Sequence, residues 1–196
     1  MVFLRIIAGA LCLLSLPMMG QDCQPQAEAM SRIQLISFLN ENARGASPEC
    51  LTRVIIRVSE LRPPAREATE TLISLLDFRR LPTEGEKVGV FSGSRDNYPA
   101  VSALLMVGPP AVAPLIEDLK RSDLGEVSRQ NALRTLILIH APNPPEAISA
   151  LKQAAADADD PAASERLEAD AKDAIRYCLG KWRAPCEAAE SGAHVE

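Results

Sequence analysis

The residues of this 196-residue chain that could carry chemistry are few: five cysteines, two histidines and a scatter of serines and carboxylates. A Ser–His–acid hydrolase needs a histidine as its base. His194 lies in a polar C-terminal stretch. His140 ends an apolar helical run, where its cationic form suits the carbonyl end of a helix, so a capping role is expected for it. No Gly-x-Ser-x-Gly occurs, and Ser92-Gly93-Ser94 reads as a turn. Nucleotide binding finds no support either, because neither Gly-x-x-x-x-Gly-Lys nor Gly-x-Gly-x-x-Gly is present. Gly85, Gly89 and Gly93 are evenly spaced, but no helix begins right after them to complete a phosphate cradle. The sequence therefore nominates no catalytic residue, no cofactor-binding residue and no cofactor.

Metal ligation fares no better. No cysteine pair has the C-x-x-C spacing, and neither histidine has a partner at ligand spacing. Asp157, Asp159 and Glu168 fall at the first, third and twelfth positions of a calcium-loop count. Pro161 then stands where a side-chain oxygen is needed, and Ala162 where the turn requires glycine. A solvated turn between helices is the expected reading.

The cysteines point to oxidation instead. Cys12 falls in an apolar N-terminal run, which leaves Cys23, Cys50, Cys178 and Cys186. Three pairings are open to four cysteines. Cys178–Cys186 and Cys23–Cys50 are expected, each stapling a terminal helix. An even count of cysteines suits an exported chain. The N-terminus agrees: Arg5 precedes an apolar stretch, Ile6 to Leu16, which ends at Pro17-Met18-Met19-Gly20 before polar Gln21-Asp22. That pattern is a secretory signal over residues 1–20, too short to cross a bilayer comfortably. The protein is therefore expected to be secreted or periplasmic, with membrane contact only if the signal stays uncleaved.

Composition narrows the partners. A net charge of −5 and 4% aromatic residues disfavour nucleic acid and base-stacking surfaces. The 47% hydrophobic content excludes a disordered chain.

The elements that must position any site are helical almost throughout. Met30, Ile33, Ile36, Leu39 and Ala43 recur at helical spacing. Ser47-Pro48-Glu49 is a start signal with a capping hydroxyl, a proline at the first position and an acid in the first turn. Leu51, Val54, Ile55, Val58 and Leu61 follow. Ala65, Ala68, Leu72, Leu75 and Leu76 form the next stripe. Residues 79–96 read as an irregular insertion in which Val88 to Phe91 alone suggest a strand. Spacing resumes at Tyr98, Val101, Leu104 and Leu105, then at Val112, Leu115, Ile116 and Leu119. Ser122 or Asp123 is expected to cap the following helix, and Asp123 with Glu126 fits a capping box. Leu133 to Ile139 is apolar nearly all round, which predicts burial on several sides. Ile148, Leu151 and Ala155 precede the acidic break at 157–161. Leu167, Ala171, Ala174, Ile175 and Cys178 mark the last helix, and 187–196 reads as a frayed tail.

Double prolines punctuate this series at 63–64, 109–110 and 144–145, at intervals of 46 and 35 residues. The longer interval holds the insertion, so the unit is about 35–40 residues with two helices in each. Residues 100–119, Ala-Val-Ser-Ala-Leu-Leu-Met-Val-Gly-Pro-Pro-Ala-Val-Ala-Pro-Leu-Ile-Glu-Asp-Leu, resemble a HEAT repeat. Arg129-Gln130-Asn131-Ala132-Leu133-Arg134-Thr135-Leu136 is similar to the first helix of the next unit. The resemblance is good over 97–156, weaker over 47–78 and absent over 79–96. It implies an all-α fold: a short right-handed α-solenoid of antiparallel helix pairs, about three to four repeats with one loop insertion. The helical domain would span 21–186.

In such arrays the second helices line a concave face, here about 64–78, 110–120 and 144–156. Positions opposite their apolar stripes include Glu70, Ser74, Glu117, Lys120 and Lys152. Phe91 and Tyr98 stand near the end of the insertion and supply two of the few aromatic anchors. The expected function is a non-catalytic protein-binding or assembly module. A small-molecule binder or enzyme of the lyase-like HEAT group is the first alternative, and a structural envelope protein the second.

Overall fold

The computed structural model of the chain describes residues 27–81, 97–141, 143–182 and 186. Among them every regular element is helical and no strand occurs. In chain order these are α1 (Arg32–Asn42), α2 (Pro48–Glu60), a 3₁₀ turn (Arg66–Ala68) leading into α3 (Thr69–Ile73), and α4 (Pro99–Val107). A second 3₁₀ turn (Pro109–Ala111) leads into α5 (Val112–Leu119), followed by α6 (Glu126–Ile139), α7 (Pro145–Ala156) and α8 (Pro161–Trp182).

Proline and hydroxyl residues place the starts. Pro48, Pro99, Pro145 and Pro161 each stand at a first helical position, where a missing N–H leaves no helical bond unmade. The Ser47 hydroxyl accepts the Cys50 backbone N–H at 3.2 Å, as the start signal predicts. Ser31 and Gln34 cap α1 reciprocally, the Ser31 backbone N–H donating to Gln34 Oε1 at 2.9 Å. Gly108 ends α4 at φ 73, a left-handed value that a side chain would strain.

The stripes read from the sequence are buried from α2 onward. Leu51, Val54, Ile55 and Val58 of α2 join Ala68, Leu72, Leu75 and Leu76 in one core, with Ala100, Val101 and Leu104 of α4. Leu115 and Leu119 of α5, Leu136 and Ile137 of α6, and Ile148 and Leu151 of α7 extend it. Leu167, Ala171, Ala174 and Cys178 of α8 close the series. α2 packs against α4, α4 against α6, and α6 against α8. α3 packs against α5. Between these sets, α3 meets α4, α5 meets α6, and α7 meets both α6 and α8. The all-round apolar helix α6 thus touches α4, α5, α7 and α8, which accounts for its composition.

Three expectations need correction. In the N-terminal stripe Leu39 is fully buried and Met30, Ile36 and Ala43 pack against the core as expected, but Ile33 is 79% exposed and Leu35, outside the stripe, is fully buried in its place. The Asp123–Glu126 capping box does not form. Gly125 is the N-cap of α6, and the Asp123 carboxylate is taken by the Arg121 guanidinium at 2.9 Å. The helix expected over 64–78 is shorter. After Pro63-Pro64 the chain makes a 3₁₀ turn and only a five-residue α3, while Leu75 and Leu76 stay buried in the turns that follow.

Candidate functional site

The junction of α6, α8 and the turn between α5 and α6 holds the densest group of buried charge. Arg129 in the first turn of α6 donates through one guanidinium nitrogen to Asp170 Oδ2 of α8. Its other nitrogen donates to the Arg121 carbonyl at 3.0 Å. Arg166, one turn before Asp170 on α8, donates twice to the Lys120 carbonyl, at 3.0 and 2.7 Å. Two arginines therefore satisfy the carbonyls that α5 leaves open at its C-terminus. Asp118 is buried at the end of α5 and accepts from Arg121 at 2.9 Å.

Asp170 is only 3% exposed, and burial pushes its carboxyl up to about 6 despite the opposing pull of Arg129. Asp173 and Glu126 add to the rise by repulsion. Hydrogen bonding to Arg121 holds the Asp123 carboxyl below the usual range. In this cluster Asp170 and Asp118 accept from Arg129 and Arg121, and Arg129 and Arg166 also donate to backbone carbonyls. Its chemistry is that of a joint. Asn131 on α6 plays the same part toward α3, its amide donating to the Leu76 carbonyl at 2.7 Å.

Asp170 and Asn131 were not singled out from the sequence, although a signal exists. Asp170 is three residues after Leu167 and one before Ala171, inside the apolar stripe. A polar residue at such a phase is buried and must find a partner.

The residues nominated as a partner surface sit outside this joint. Glu70 of α3, Glu117 of α5 and Lys152 of α7 are exposed, and so is Ser74 just past α3. Lys120 is half-buried and pairs with Glu117 at 2.6 Å. Ser74 donates to the Thr71 carbonyl at 2.8 Å. Tyr98 precedes α4 and packs partly against the core. Phe91 lies outside the described residues. The two ends of the insertion meet: the Arg80 backbone N–H donates to the Asn97 carbonyl at 2.9 Å, and Leu81 beside it is 53% exposed.

Two grooves flank the helices. One of about 460 Å³ is lined by Ala27 and Glu28 and by Arg53, Ile56, Arg57 and Glu60 of α2. Arg57 and Glu60, three residues apart on the α2 wall, pair at 2.7 Å. The second, about 300 Å³, lies between α7 and α8.

Cys178 and Cys186 are both fully buried and form a disulfide, with Cα atoms 5.8 Å apart. Cys50, buried at the start of α2, is also disulfide-bonded. Its expected partner, Cys23, lies outside the described residues, as do residues 1–20, expected to be a signal, and 187–196, expected to be a frayed tail. His140 follows α6, with Nδ1 2.9 Å from the Leu136 carbonyl, which is the capping position expected of it.

The acids of the calcium-loop count have local duties. Both Asp160 oxygens accept backbone N–H groups at the start of α8, from Ala162 at 3.1 Å and Ala163 at 3.2 Å. Asp157 accepts from Gln153. Among the described residues no group of three or more His, Cys, Asp or Glu is placed to hold a metal ion. No single described helix is long and apolar enough to cross a membrane. Compared with known protein families, curated proteins and solved structures, the chain matches none.

Proposed function

We propose that this protein is an exported, HEAT-like α-solenoid that binds another protein and has no catalytic step of its own. The observation that carries the reading is the order of helix contacts. One row runs α2, α4, α6, α8 by direct contact; α3 packs against α5, and with α7, which meets α6 and α8, these are read as the second row. In a right-handed solenoid of antiparallel pairs, the second row is the concave face. Glu70, Glu117 and Lys152 would then share that face with Ser74 and Lys120. The Cys178–Cys186 disulfide fits a secreted or periplasmic location, where thiols are oxidised.

The test uses the oxidised chain without residues 1–20 as bait in an envelope extract. A single protein retained by the wild type should be lost with Glu117→Lys/Lys120→Glu, a swap that preserves the mutual ion pair and hence the fold. Deletion of 84–94 should also release it. Retention by both variants, with unchanged circular dichroism, would remove this face from consideration.

A further inference from the structure

The groove of about 460 Å³ against α2 falls in the size range of small-molecule sites. Arg53, Ile56, Arg57 and Glu60 line it at steps of three, one and three, so they share one face of that helix. Its guanidinium donors are under-used. Among the described residues, Arg57 Nε is the one buried side-chain polar atom without a hydrogen-bond partner. The same guanidinium gives Nη1 to Glu60 Oε2 at 2.7 Å. Arg53, one turn earlier and partly buried, makes no hydrogen bond or ion pair among the described residues. A buried donor without an acceptor is costly, so an acceptor brought to it is bound favourably.

The charge balance selects the acceptor. Glu28 and Glu60 set two carboxylates against the two guanidinium groups, so the groove has no positive excess. A dianion such as phosphate would be repelled by both acids. A single carboxylate can instead replace Glu60 on Arg57, charge for charge. Its planar pair of oxygens matches the side-on edge formed by Nε and Nη2. While Glu60 holds Nη1, Nε is closed off from solvent, so the guanidinium must turn from Glu60 to present that edge. Ile56 is 42% exposed on the same face and offers apolar surface to an aliphatic group beside the carboxylate.

We propose that the α2 groove binds a small organic monocarboxylate with an aliphatic chain. Its carboxylate takes Arg57 and Arg53, and its chain lies on Ile56. The C-terminal residue of a peptide and a free short-chain acid share this chemistry. The site uses none of the residues proposed for a protein partner and does not depend on that reading.

Calorimetry on the oxidised full chain tests it, with N-acetyl-leucine and hexanoate as probes and N-acetyl-leucinamide as the uncharged control. At least one acid should bind with a dissociation constant of about 1 mM or tighter, and the amide about tenfold more weakly. Binding of N-acetyl-leucine alone supports the site as one for a peptide terminus, and of hexanoate alone as one for a free acid. Arg53→Gln and Arg57→Gln should each weaken binding about tenfold with helicity unchanged by circular dichroism. Glu60→Gln, which releases Arg57, should tighten it severalfold. No binding of either acid at about 10 mM would overturn the proposal. So would equal binding of the amide, indifference to both arginine substitutions, or weaker binding in Glu60→Gln.

Discussion

Two turns in this molecule use the same device in different surroundings. At the turn after α2, Arg32 of α1 donates to the Pro63 and Pro64 carbonyls and pairs with Glu67 at 3.0 Å. At the turn after α5, Arg129 donates to the Arg121 carbonyl and pairs with Asp170, with Arg166 on the Lys120 carbonyl. In both, a guanidinium from a neighbouring helix satisfies carbonyls that the turn leaves open, and a carboxylate neutralises it. The side chains of the first pair are 29% and 60% exposed; those of the second are 17% and 4%. Water competes with the first pair and is kept from the second. An equal geometry therefore carries unequal energetic weight, because desolvation makes a broken buried pair far costlier than a broken exposed one.

The comparison fails first if the buried joint can be halved without penalty. Arg129→Ala removes the charge that opposes the burial of ionised Asp170, so its carboxyl rises further and a loss of about 3–5 kcal/mol is expected from urea denaturation at a pH well above that value. A loss no larger than that of an exposed pair would mean that water reaches Asp170.

Acidity sharpens the contrast further. The Asp170 carboxyl sits at about 6 in the folded chain, against 3.8 for the free group, because burial outweighs Arg129. A raised folded value means that the native state binds this proton more readily than the unfolded one. The ionised group therefore costs stability above about pH 6, and that cost is relieved as pH falls from 6 toward 4. The melting temperature of the wild type should rise by a few degrees relative to Asp170→Asn over that window. Parallel curves for the two proteins would refute the burial argument. Glu67 behaves oppositely: hydrogen bonding to its own backbone and the attraction of Arg32 hold it below the usual range. Its contribution is lost only as pH falls through that lowered value.

The smallest effect belongs to the exposed pair. Glu67→Ala should cost less than about 1 kcal/mol, and the difference from wild type should shrink further in molar salt. A salt-independent loss comparable to that of Arg129→Ala would erase the distinction between the two turns.

Much of the helical order was readable before any coordinates. The double prolines at 63–64, 109–110 and 144–145 do separate successive helices, and the Ser47 start signal works as written. Leu72, Leu115, Ile148 and Leu151 are buried because apolar spacing in the later helices is unambiguous. The method faltered where apolar residues crowd both sides of a helix. In α1, Ile33 and Leu35 flank the same apolar face, and the neighbours present in space bury Leu35 and leave Ile33 out. The α6 cap was misread because a local rule cannot see that Arg121 claims Asp123. The joint itself was invisible for a deeper reason. Its partners are 41 residues apart in the case of Arg129 and Asp170, and 55 in that of Asn131 and Leu76. Short-range periodicity marks Asp170 as misplaced on its helix but says nothing of which guanidinium awaits it.

The hydrogen bond from Arg80 to Asn97 has one more consequence. It holds residues 80 and 97 together, so the chain between them is closed into a loop at its base. Such a site works as a socket. Loops of other sequence and length can be exchanged there, at an entropic cost of only about 0.6 kcal/mol for each doubling of length. Changes of length between residues 80 and 97 are therefore expected to alter stability only slightly, which thermal melts of loop-length variants would check.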